Sequence, residues 1–263
     1  MKPYIEILPK VGKYFFAIGI MAIGIEHIIF NDFIIGRAPS WPDNLSGQSI
    51  WAYVSGFYFF VVGLMILSKI HVRKVSLLGA AIIFIWAFIR HLPIVLTDTL
   101  LAPSWTSAGK AMLFIGGLFV IAATSPSFKD QSRLINIPFI NSYSGLVTTS
   151  RICLAIFLLI TGLQHFIFVK FVASLIPVWF PGDPIFWTYF AGVALICGGL
   201  GILISKTTSL AAFLSGTMIF SWFWIVHLPR AVASMSDNIA IFEALAFSGI
   251  AFILMKPDIL KQE

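Results

Sequence analysis

The chain has 263 residues, of which 59% are apolar and only 11% charged, with a mean hydropathy of +0.97. That composition excludes an ordinary soluble domain. The formal net charge of +6 is not a nucleic-acid footprint, because the cations lie between apolar runs and not on one basic face.

Several apolar runs approach the roughly 20 residues that a helix needs to cross a hydrocarbon core. The first, Tyr14–Phe30, lies too deep in the sequence for a cleaved signal and reads as a retained anchor. Ile50–Leu67, Val75–Leu96 and Ala108–Thr124 follow, then Ile152–Phe168, Ile185–Ile204, Thr208–Val226 and Ile239–Met255. The polar stretch Ser125–Ser150 divides them into two sets of four. The expected fold is all-α and transmembrane, with eight helices in two four-helix bundles. The first unit is 1–124, a cytoplasmic linker 125–150, and the second unit 151–263. The two cysteines, Cys153 and Cys197, sit in different apolar runs without metal-type spacing and read as small core residues.

Sidedness follows from the cations. Lys2, Lys10, Lys13, Lys69, Arg73, Lys74, Lys129, Arg133, Arg151, Lys206, Lys256 and Lys261 gather on one side, against Arg37, Arg90, Lys110, Lys170 and Arg230 on the other. Both termini are therefore expected in the cytoplasm. Trp41, Trp51, Trp86, Trp105, Trp179 and Trp187 cluster towards the opposite face, like an aromatic belt.

The chain also resembles itself. At an offset of 138, Gly24, His27, Phe33, Pro39 and Trp41 fall on Gly162, His165, Phe171, Pro177 and Trp179. At 136, Trp51, Tyr53, Gly56 and Trp86 fall on Trp187, Tyr189, Gly192 and Trp222, and His91-Leu-Pro93 falls on His227-Leu-Pro229. Each unit has an even number of crossings, so the repeat is parallel. Inverted repeats are the commoner hallmark of rocking transporters, which weakens a transport reading.

Four of the five histidines, His27, His91, His165 and His227, occupy these repeated motifs near the outward ends of the first and third helices of each unit. Ionisable groups at membrane depth usually face the bundle interior and meet partners there. Gly24 and Gly162 stand one turn before a histidine and leave room for a neighbouring helix or a flat ligand. Pro93 frees the carbonyl of residue 89 and kinks its helix. Glu26, Arg90 and Lys110 lie at the same level in the first unit, as do Gln164, Arg230 and Glu243 in the second. Glu243 invites a cation, and Arg230 or His227 is nearest in sequence. The loops around Trp41 and Trp179 read as rigid segments over the site or as headgroup anchors. Three chemistries suit the histidines: interhelical hydrogen bonds, contact with a quinone head group, or haem and metal ligation.

With these motifs the chain resembles the DoxX-like family of small membrane proteins, through Gly24 and His27, Pro39 and Trp41, Tyr53 and Gly56, His91 and Pro93, and their second copies. A family unit has four helices, so the resemblance implies two fused units. It also implies kinship with the membrane subunits of thiosulfate:quinone oxidoreductases, a bacterial inner membrane and a redox partner protein. Under that reading His27, His91, His165 and His227 contact a quinone head group with Glu26 and Glu243 as proton partners. Gly24, Gly162, Trp41, Trp179, Arg90 and Arg230 line the site. No dinucleotide fingerprint, cysteine cluster or haem-attachment motif is present, so electrons must come from a partner or substrate. A non-catalytic scaffold subunit is the alternative.

Overall fold

In a computed structural model the chain is described over residues 2–33, 41–42, 45–125, 137–233 and 238–255. Regular structure among the described residues is helical, without strands. The long helices are α1 (Lys2–Phe30), α2 (Gln48–Leu67), α3 (Val72–Thr97), α4 (Pro103–Ala123), α5 (Tyr143–Ile167), α6 (Pro184–Leu203), α7 (Thr208–Ala233) and α8 (Asn238–Leu254). Seven are long and apolar enough to cross a bilayer, and α8 is the shorter apolar one. Side chains such as Ile29, Phe57, Leu78, Phe84, Phe190 and Leu210 are exposed on the outside, as lipid requires. The chain is a multi-pass membrane protein.

The helices extend past the apolar runs, because backbone bonding can continue into polar sequence. α1 starts at Lys2 instead of Tyr14 and carries Pro9 inside it. α5 starts at Tyr143, inside the stretch expected to be linker, because Ser142 caps it: its Oγ accepts from the Gly145 amide at 3.0 Å. Ser142→Ala should cost about 1 kcal/mol, read as a lower thermal midpoint of the detergent-purified protein. Pro103 and Pro184 open α4 and α6, and Asp183 accepts from the Ile185 amide at 2.9 Å. The central part of the expected linker, with Lys129 and Arg133, lies outside the described residues, as do Arg37, Pro39, Lys256 and Lys261.

Neighbouring helices pack in a closed order, α1 to α2 and so on through α8, which returns to α1; α4 and α8 also touch. Exchanging the two halves turns the α1·α8 contact into α5·α4. Both contacts use glycine. A Cβ on Gly249 of α8 would lie 2.5 Å from the Gly12 carbonyl oxygen of α1, and one on Gly116 of α4 would lie 2.8 Å from Cys153 Cβ of α5. Small residues let backbones approach where lipid supplies no hydrophobic drive between helices. Cys153 is buried in that crossing, whereas Cys197 is exposed and not a core residue.

At the basic end, two cations satisfy the carbonyls that helix termini leave without partners. Lys13 Nζ donates to Thr124 O at 2.8 Å, just past α4, and Arg151 Nη2 donates to Ile202 O at 3.2 Å, near the end of α6.

The repeated prolines produce something more specific than a kink. Ala87–His91 and Phe223–His227 are each one turn of π-helix, each ending two residues before proline. In an α-helix the proline ring would collide with the carbonyl four residues earlier; the wider turn relieves that collision. Both turns end on the motif histidine.

Candidate functional site: two histidine cavities of unequal size

The four histidines segregate into two cavities, one in each half. His27, in the last turn of α1, is fully buried, and its Nδ1 lies 2.7 Å from Ile23 O. His165 in α5 repeats this contact with Thr161 O, also at 2.7 Å. The π-turns bring His91 to the cavity of His27, and His227 to that of His165.

The first cavity measures about 50 Å³, space for a water or two and not for a ring. Its own side chains fill most of it. Phe33 stacks flat on Trp41 at 5.5 Å between centroids, and packs edge-on to His27 and Trp86. Arg90 lies over Trp41, its guanidinium 4.9 Å from the ring centre. Phe59 fills the inner side against His27.

The second cavity measures about 470 Å³ and is partly open. Leu195 stands where the first half has Phe59, and Val226 where it has Arg90. The roof is different as well. Phe171 and Trp179, counterparts of the stacked Phe33 and Trp41, point outward and are 58% and 63% exposed. The wall is apolar, with Phe157, Phe180, Trp187, Trp222 and Phe247, and holds a few polar groups: His165, His227, Thr106, Thr161, Thr188, Ser221, Lys110 and Glu243. Trp222 stacks on the His165 ring at 6.3 Å and 23°, which fixes its plane.

Glu243 pairs with Lys110 Nζ at 2.6 Å, across α4 and α8. The partner is thus neither Arg230 nor His227. Arg230 stands half-buried in the last turn of α7, outside the cavity wall. Lys110 and Glu243 hold corresponding places in the two halves: at their separation of 133 residues, Phe114 also matches Phe247 and Gly116 matches Gly249. Phe114 and Phe247 meet at 5.1 Å. Glu26 is buried within electrostatic reach of Glu243 but lines neither cavity, and its Oε2 has no hydrogen-bond partner. Its counterpart Gln164 takes a structural role, donating to Leu101 O and Ala102 O at 3.0 Å and accepting from Thr106 Oγ1 at 2.5 Å.

Gly24 and Gly162 are packing positions. A Cβ on Gly24 would lie 2.5 Å from Gly56 O, and one on Gly162 3.0 Å from Gly192 O. Neither glycine lines a cavity. Among the described residues, no three His, Cys, Asp or Glu side chains converge as a metal site.

The hydroxyls on the second wall were not singled out in sequence, yet a signal existed. Thr161, Thr188 and Ser221 replace Ile23, Ala52 and Ile85 of the first half at the repeat offsets. The exchange also runs the other way, with Ser55 and Arg90 on the first wall against Ala191 and Val226 on the second.

Residues 154–248 match a family model described as a domain of unknown function, DUF8561. That stretch contains every residue of the larger cavity's wall except Thr106 and Lys110. No curated protein and no solved structure matches the chain.

Proposed function

We propose that the chain is a duplicated, DoxX-like membrane protein whose second unit binds a quinone-like lipid. In this reading it lies in a bacterial plasma membrane with both termini in the cytoplasm, and a redox partner supplies electrons. The observation that carries the ligand reading is the 470 Å³ cavity, in the size range of small-molecule sites, apolar-walled with two histidines on one side. A quinone ring and the first part of its tail suit such walls. The duplication is supported by the matched motifs, the paired π-turns and the exchangeable α1·α8 and α5·α4 contacts.

The two halves then have different tasks. The second holds ligand; the first, narrowed to about 50 Å³ by Phe33, Phe59 and Arg90, is a structural copy whose histidines pack and hydrogen-bond. The test is an oxidised-minus-reduced spectrum of detergent-purified protein, extended into the ultraviolet, with extraction of bound lipid. Wild type and His91→Leu should both show the quinone change. His165→Leu combined with His227→Leu should lose at least about 90% of it, since a small site depends on its few polar contacts. A Soret band would reassign the histidines to haem. Equal quinone in the double variant would remove the site assignment and favour a scaffold subunit.

A further inference from the structure

One histidine of the larger cavity presents an acceptor and not a donor. His165 Nδ1 lies 2.7 Å from Thr161 O, and a carbonyl can only accept, so the ring hydrogen of the neutral imidazole sits on Nδ1. Nε2 is then a bare lone pair. The second tautomer would set two lone pairs against each other at 2.7 Å. A charged imidazolium would carry an unpaired charge into an apolar wall. The hydroxyls lean the same way: Thr161, Thr188 and Ser221 each donate to the carbonyl four residues back, at 2.8, 2.9 and 2.9 Å. Those hydroxyls can rotate towards a ligand, but His165, stacked on Trp222, cannot exchange its acceptor for a donor without breaking its backbone bond or taking a charge into the apolar wall.

Donors stand elsewhere on the wall: the N–H groups of His227 and Trp222, and Lys110, whose ammonium has three hydrogens and gives one to Glu243. A ligand that suits this wall must donate to His165 while tolerating a donor elsewhere. A phenolic hydroxyl does both, because its oxygen can accept as its hydrogen is given. A quinone carbonyl can meet only the donors, because against Nε2 it sets one lone pair beside another. His27 carries the same backbone bond and an Nε2 without a partner, so this imidazole state is built into both halves, although the 50 Å³ cavity leaves it no room for a ring.

We infer that the larger cavity selects the reduced, hydroxyl-bearing form of its ligand, a quinol over the corresponding quinone, with His165 Nε2 as the acceptor that distinguishes them. This rests on the proposed lipid-binding reading and sharpens it. Sites built to hydrogen-bond a ligand hydroxyl discriminate strongly against analogues without one, because the site's own polar group is left unpaired.

The test is anaerobic titration calorimetry of the full-length purified protein with decylubiquinol, decylubiquinone and the dimethyl ether of decylubiquinol. The quinol should bind at least tenfold tighter than the other two, and His165→Leu should erase that difference. If quinone or ether binds as tightly as quinol, the inference is overturned while the lipid-binding reading survives. If none of the three binds, both fall together. The ether keeps the comparison decisive on wild-type protein even where His165→Leu fails to fold.

Discussion

Lys110→Ala should destabilise the protein by about 3–5 kcal/mol, the cost of leaving one member of a buried pair without its partner. Glu243 is 4% exposed, its Oε1 already has no hydrogen-bond partner, and Glu26 is within electrostatic reach. Without the ammonium, two carboxyl groups share an apolar interior. For a chain of this size the loss corresponds to roughly 10 °C or more in the thermal midpoint. Replacing both members, Lys110→Met with Glu243→Met, should recover most of it, because the desolvation cost of both charges disappears as well. A midpoint for Lys110→Ala within about 2 °C of wild type would mean that the pair contributes little to holding α4 against α8.

Gly249→Leu should be comparably damaging for a steric reason. The first side-chain carbon would lie 2.5 Å from Gly12 O and 2.9 Å from Phe16 N, both backbone atoms of α1. Neither can rotate away, so the helices must separate along a contact that closes the bundle. Overpacking usually costs about 1–3 kcal/mol; a backbone-limited crossing belongs at or above the upper end. Gly109→Ala is the control: its Cβ would meet only the Phe157 ring edge at 3.2 Å, and a side chain can yield by tenths of an ångström. The expected outcome is a monodisperse Gly109→Ala protein and an aggregated or poorly extracted Gly249→Leu protein. Equal behaviour of the two would show that α1 and α8 need not approach so closely.

The spanning helices were legible because lipid demands long apolar runs, and the histidine motifs because rare residues recur at matched offsets. Helix starts were not: Lys2 and Tyr143 lie in polar sequence where apolar length carries no information, and at Tyr143 the Ser142 cap decides. The partner of Glu243 was hidden by distance along the chain. Arg230 and His227 were nearby in sequence, whereas Lys110 is 133 residues away and reaches it only because α4 and α8 meet. The unequal cavities lay partly in view, in Arg90 against Val226 and Phe59 against Leu195. Yet the outward placement of Phe171 and Trp179 is a property of a loop's path, and no side-chain inventory encodes it. The repeated Gly24 and Gly162 illustrate the opposite failure, since a glycine beside a histidine suits a ligand or a helix equally, and only the 2.5 Å and 3.0 Å approaches to neighbouring carbonyls decide for the helix.

The lysine and glutamate that meet at corresponding places in the two halves also determine which halves can associate. Two copies of the first half joined through the same surfaces would bring lysine against lysine, and two copies of the second half glutamate against glutamate. Only the mixed pair is attractive, so the halves discriminate against themselves. Expressed as separate polypeptides cut within 126–136, they should assemble with each other and not with their own kind.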